Sequence, residues 1–315
     1  IISVFMGDML TRLIENIAAG KAAGHGAEQE LIKLGVNKLP EIEKDNTDRN
    51  RTSPFAFTGN KFEYRAVGSS QSIAFPIMIL NATVAAAIDE ITERIKAAKK
   101  KTKNIDDAVM VVVREVFRET KNVRFEGNNY AESWVKEAAK RGLPNYRRTP
   151  ESLGQLITKQ SRDLFEKLGI LTKEELESRY HVRVERYVKD MLIESQTLIE
   201  IVDTMVLPAA FEYANKLADG AALAKSAGIK KVPQISAAND LGATISALQD
   251  ARKELGAVTD KANHTHDDPE AAAKLLTTRG ADTMANVRSL CDALELKVAD
   301  DLWPLPKYRE ILFPV

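Results

Sequence analysis

Beyond residue 73 the apolar residues of this chain recur at helical spacing almost to its end, and this rhythm restricts the folds open to it. Leu241, Ile245, Leu248, Leu255 and Val258 mark one stripe over about 235–262, and Leu275, Leu276, Met284, Val287, Leu290, Leu294 and Val298 mark another over 269–300. Side chains three and four apart share one helix face. Two such stripes joined by a short polar loop are expected to fold as an antiparallel helical hairpin. A longer stripe runs from Leu176 through Tyr180, Val184, Tyr187, Met191, Leu198, Ile201, Val202 and Met205. Its helix opens at Thr172-Lys173-Glu174-Glu175, a capping box in which hydroxyl and carboxylate satisfy free backbone amides. It should run to about Ala218, with Pro208 kinking or interrupting it because proline has no amide hydrogen. Earlier helices are expected at about 8–19, 73–99, 105–120 and 130–141. Thr149-Pro150-Glu151 starts another, with threonine as the cap. After the stop Trp303-Pro304-Leu305-Pro306, Ile311-Leu312-Phe313 is expected to dock the tail.

Strand signals are confined to the first part of the chain. Residues 1–7 are strand-like, and two strand segments flank the turn signal Thr58-Gly59-Asn60. The expected class is α+β, predominantly α-helical, with a few antiparallel strands. The opening run Ile1-Ile2-Ser3-Val4-Phe5-Met6-Gly7 reads as the middle of a domain, so a large preceding part is expected.

Charge and cysteine usage exclude some functions. Lys+Arg and Asp+Glu both number 45 in 315 residues, giving zero formal net charge. Nucleic-acid binding needs a basic surface and is not expected. The cluster Lys96, Lys99, Lys100, Lys101 and Lys103 sits at a helix C-terminus, where cations suit the dipole. Cys291 is alone, which allows no disulfide within the chain and fits a reducing cytoplasm. No apolar run approaches the ~20 residues that span a bilayer, so no membrane partner is expected.

Lys61-Phe62-Glu63-Tyr64-Arg65-Ala66-Val67 alternates charged and apolar residues, the period of a strand. Glu63 and Arg65 therefore share one face, and Phe62, Tyr64 and Ala66 the other. A carboxylate is a hard oxygen ligand for Mg²⁺ or Mn²⁺. Guanidinium groups, here Arg65 with Arg49 and Arg51 upstream, grip phosphate or carboxylate oxygens. The plainer reading is a half-exposed strand with a solvated polar face.

The strings around that strand are specific. Asn50-Arg51-Thr52-Ser53-Pro54 and Phe57-Thr58-Gly59-Asn60-Lys61-Phe62-Glu63-Tyr64-Arg65-Ala66-Val67-Gly68-Ser69-Ser70-Gln71-Ser72 closely resemble glutamine synthetase of type III. So do Arg141-Gly142-Leu143-Pro144-Asn145, Thr149 to Leu153, Leu164 to Tyr180 and Trp303 to Pro306. The resemblance spans nearly the whole chain. It implies ATP-dependent ligation of ammonia to L-glutamate through γ-glutamyl phosphate, with Mg²⁺ or Mn²⁺. It implies Glu63 as a metal ligand, Arg65 as a glutamate- or phosphoryl-binding residue, and Arg51 on nucleotide phosphate and substrate. It also implies a ring-based homo-oligomer, a dodecamer by family resemblance, in the cytoplasm. Residues 1–190 would be the C-terminal part of the catalytic domain, and 191–315 a helical extension packing between subunits or rings. The remaining metal ligands have no candidates here, so the isolated piece is expected to be inactive.

Two departures stand out. Type I enzymes carry a further arginine five residues after Arg51, where this chain has Ala56. Phe75-Pro76-Ile77 also differs from the family's usual start of the following helix. Other candidates are weaker: His264-Thr265-His266-Asp267-Asp268 has metal-ligand residue types but falls in a polar hairpin loop. Gly68 to Ser72 could offer amides to an anion or simply cap a helix. The alternative function is a non-catalytic helical oligomerisation or scaffold module.

Overall fold

The computed structural model describes residues 1–21, 31–32, 42–43, 52–65, 68, 71–265 and 267–313. They form two compact units, residues 1–146 with 163–170, and residues 147–162 with 171–315. As the sequence leads one to expect, the chain is predominantly helical with a small sheet.

The first unit is built on a three-stranded sheet. Strand β1 (Val4–Phe5) pairs in parallel with β4 (Phe55–Phe57), and β4 pairs antiparallel with β5 (Phe62–Tyr64). The sheet is therefore mixed rather than antiparallel throughout. A separate two-stranded pair joins β2 (Leu31–Ile32) to β3 (Ile42–Glu43). The β4–β5 hairpin turns where Thr58-Gly59-Asn60 says it should: the Thr58 amide donates to the Lys61 carbonyl at 2.8 Å, and Gly59 takes φ 97°. That conformation suits glycine because it has no Cβ to clash.

Helix α1 (Asp8–Ala18) follows β1 through Gly7, which has φ 82° and offers no capping side chain. Glu126 supplies the cap from far along the sequence. Its carboxylate accepts from the Gly7 amide at 2.8 Å, the Met6 amide at 3.1 Å and the Thr11 hydroxyl at 2.7 Å. A negative group at a helix N-terminus satisfies free amides and suits the dipole. Helix α2 (Ala74–Lys99) packs on α3 (Ile105–Glu119), whose Asn104 cap accepts from the Asp107 amide. Arg94 of α2 reaches Glu115 and Glu119 of α3 at 2.9 and 2.7 Å. In α4 (Glu132–Lys140), buried Trp134 stacks on Phe125 with ring centroids 4.0 Å apart, and the Arg141 guanidinium lies over both rings.

Only Ala82 of α2 is buried. Its composition lets it cross a membrane by length and hydropathy, with an 18-residue window of mean hydropathy 1.5. The sequence reading missed this because Asn81 and Thr83 break the apolar run without adding charge.

The second unit is a helical assembly around α9. Helix α5 (Thr149–Leu153) has Arg148 at its cap position, one residue before the expected cap, and no side chain caps it. Helix α6 (Lys159–Lys167) has its first turn in this unit and residues 163–167 in the first, and α7 (Lys173–Ile201) opens with the expected capping box: the Glu175 amide donates to the Thr172 hydroxyl and the Thr172 amide to the Glu175 carboxylate. A π turn at Val202–Val206 separates α7 from α8 (Leu207–Ser226). Pro208 explains it, since proline removes the amide that would continue the α ladder. Position 190 lies inside α7.

Helix α9 (Pro233–Asn263) and the pair α10 (Pro269–Leu275) and α11 (Ala281–Glu295) form the expected hairpin. A second π turn, Leu276–Gly280, lies between α10 and α11. The core joins Val202 and Val206 of the first π turn, Leu241, Leu248 and Leu255 of α9, Val287 and Leu294 of α11, and Trp303 beyond it. Each fully buried leucine contributes about 2 kcal/mol of apolar transfer. The tail departs from expectation: α12 (Tyr308–Leu312) leaves Ile311, Leu312 and Phe313 exposed. No described surface covers these three.

Candidate functional site

Sheet pairing fixes which side chains share a face. Glu63 stands directly opposite Ala56, and Phe55 and Phe57 stand opposite Tyr64 and Phe62. Opposed residues project to the same side, so Glu63 lies on the side of Ala56, which is fully buried. The other side is aromatic. Phe55 stacks on Phe62 with centroids 5.5 Å apart, and Phe57 meets Phe62 at 5.4 Å.

The period-2 reading of Glu63 and Arg65 holds. The Arg65 guanidinium donates to the Glu63 carboxylate at 3.3 Å. Arg65 is anchored further by its amide on the Pro54 carbonyl at 2.7 Å and by Nη1 on the Ser53 carbonyl at 3.4 Å. Lys61 Nζ approaches Glu63 from its other flank at 3.4 Å. The hydrogen bond from Arg65, and after it that from Lys61, holds the Glu63 carboxyl below its ordinary value. Glu63 is thus an ionised, solvent-accessible carboxylate between two cations. Chemically it can accept hydrogen bonds or contribute one oxygen ligand to a hard cation.

Two residues escaped the sequence reading. Lys61 appeared only as part of an alternation, although its position two before Glu63 places it on the same face. Ser53 is buried, and its hydroxyl donates toward the carbonyls of Ser3 and Phe55 at 3.3 and 3.1 Å. It ties β1 to the start of β4, a contact across 50 residues with no local signal.

Arg51 lies outside the described residues, as do Arg49 and His266. Among the described residues no group of three or more His, Cys, Asp or Glu side chains could hold a metal. His264 is engaged locally, its Nδ1 2.6 Å from the Asp260 carbonyl. At the start of α2 the cap position is Ile73, which no side chain caps, and the Ala74 amide donates to the Ser72 hydroxyl at 3.3 Å; Ser69 and Ser70 are outside the described residues. A cavity of about 710 Å³ belongs to the second unit, where Glu174, Ser178, Arg179, Arg183 and Arg186 of α7 line it. Burial, then the like charges of Arg179 and Arg186, lower the Arg183 pKa.

Residues 108–225 match the sequence profile of the glutamine synthetase C-terminal domain. The chain is 35% identical over 323 residues to the type-3 glutamine synthetase of Dictyostelium discoideum. It is 33% identical over 322 residues to a glutamine synthetase of Bacteroides fragilis, and 33% over 334 to one of Butyrivibrio fibrisolvens. Over nearly its whole length the chain is similar to glutamine synthetases, one of them of type 3. Each alignment takes in 99% of the chain but only 43–44% of the relative, so it spans less than half the length of the synthetases it resembles. The Glu63–Arg65 pair precedes the profile match, but the similarity to the whole synthetases runs through it.

Proposed function

We propose that the chain is the C-terminal portion of a type III glutamine synthetase, and that β5 contributes one wall of its active site. The observation that carries this reading is the Glu63–Arg65 pair: an ionised carboxylate and an anchored guanidinium on one strand face, in a chain related to such enzymes throughout its length. The longer protein would join ammonia to L-glutamate at the expense of ATP, in nitrogen assimilation and in the cytoplasm.

In this reading Glu63 supplies one oxygen ligand to a Mg²⁺ or Mn²⁺ ion. One carboxylate does not hold such an ion, so the remaining ligands come from the part of the synthetase outside these residues. The ion, when bound, neutralises phosphate charge. Arg65 binds a glutamate carboxylate or phosphoryl oxygen, and its anchorage on Pro54 and Ser53 fixes its approach. Arg51 acts on nucleotide phosphate and substrate. Preorganised cations aimed at developing charge stabilise phosphoryl transfer without reorganising. Ring-based assembly, as a dodecamer, is part of the same proposal, with residues 191–315 as the packing extension.

The test is the biosynthetic or γ-glutamyl transferase assay on a full-length synthetase containing these residues, with the 315-residue chain as an inactive control. Glu63→Ala should abolish metal-dependent turnover; near-normal turnover rejects the role of Glu63. The competing reading is a non-catalytic helical scaffold. It requires the full-length protein to be inactive as well.

A further inference from the structure

The first unit leaves two apolar faces and a strand edge uncovered. The leading half of α2, Ala74 to Ile88, carries no charged residue, yet Ile77, Val84 and Ile88 are 46%, 47% and 58% exposed. The aromatic side of the hairpin leaves Phe62 and Tyr64 44% and 39% exposed. Among the described residues β5 pairs only with β4, so its outer edge presents unpaired backbone groups. Large contiguous apolar surface marks an interaction face, and an open strand edge is a template for another strand.

We propose that these features are a packing face, covered by the part of a glutamine synthetase chain that lies outside these 315 residues. This rests on the reading given under Proposed function, that the chain belongs to a longer synthetase. Two arguments select that occupant. The relatives are more than twice as long as the matched portion, so more than half of each is available to cover it. The features also call for a protein rather than a lipid. Hydrocarbon leaves an open sheet edge unsatisfied. It would also meet α3, which packs along α2 and carries Asp106, Asp107, Arg114, Glu115, Arg118 and Glu119. A segment presenting apolar side chains to α2 and a strand to β5 satisfies both.

Thiol labelling tests this without depending on turnover. Cys291 is buried and its thiol is pushed up to about 11, so its own reaction with a maleimide is slow. Val84→Cys and Ile88→Cys place probes on the face, and Lys96→Cys serves as a control on the polar end of α2. In the 315-residue chain all three should label readily. In the full-length synthetase the Val84→Cys and Ile88→Cys probes should label roughly 10-fold or more slowly, reacting only through local opening, while Lys96→Cys keeps its rate. Equal rates for the face probes in both proteins overturn the proposal. So does protection that appears only when phosphatidylcholine vesicles are added, which assigns the face to lipid. A full-length protein that protects the probes but lacks synthetase activity refutes the catalytic reading and leaves this one standing.

Discussion

The two units solve the burial problem differently. The second gathers buried residues from the first π turn, α8, α9 and α11, with Trp303 beyond α11, into one core, and α9 contributes five of them by itself. In the first, α2 is nearly as long as α7 and more apolar, yet it buries a single alanine. Hydrophobic sequence is therefore not what separates them. The second unit holds facing stripes within its own chain, so it closes on itself. The first has stripes and a sheet edge whose partners are not among its described residues.

Truncation in the two regions gives the sharpest contrast. Leu255→Ala, at a fully buried position in the second unit, should cost about 2–5 kcal/mol in urea unfolding. Ile88→Ala in the 315-residue chain should stay within about 0.5 kcal/mol, as for other exposed sites. Equal losses would mean that α2 is covered within this chain. A smaller effect is expected at Arg148, which donates to the Thr277 carbonyl in the second π turn and pairs with Asp282 at 3.1 Å. Arg148→Ala removes the partner of a carbonyl displaced from the α ladder, at a cost of roughly 1–3 kcal/mol by thermal or chemical unfolding. Thr172→Ala, by loss of the capping box, should cost about 1 kcal/mol.

Acid provides the mildest test, back in the first unit. The Glu63 carboxyl is held below 4.5 by Arg65. A depressed carboxyl contributes above its unfolded value and loses that contribution as pH falls through its folded value. The Glu63 side-chain carbon should therefore titrate in NMR with a midpoint below 4.5, and Arg65→Gln should move it upward. A midpoint unchanged by Arg65→Gln would show that the pair does not persist in solution.

Local signals in the sequence were legible, and distant ones were not. Thr172 with Glu175, the turn at Gly59, and the interruption near Pro208 all follow from neighbours a few residues apart. So does the helix end at Gly142, a glycine with positive φ. The shared face of Glu63 and Arg65 followed from the two-residue period alone. The parallel pairing of β1 with β4, the Ser53–Ser3 tie, Glu126 on the start of α1, and Arg148 on Thr277 join residues 50 to 129 apart. Nothing in composition or spacing marks such partners. The docked tail was misjudged for the opposite reason: apolar character was visible, but burial also requires a facing surface.

The π turns at Val202–Val206 and Leu276–Gly280 carry a consequence for how this protein can change length. An α-helix advances about 100° per residue, so an added or lost residue ordinarily turns every later side chain away from its neighbours. A π turn already holds one residue more than the α ladder needs. Removing one residue from Leu276–Gly280, where no proline stands, would restore plain α-helix while the face of α11 keeps its heading toward the core. That five-residue segment is therefore a place inside the helical unit where a one-residue deletion should be well tolerated, whereas at Val202–Val206 Pro208 would still interrupt the ladder.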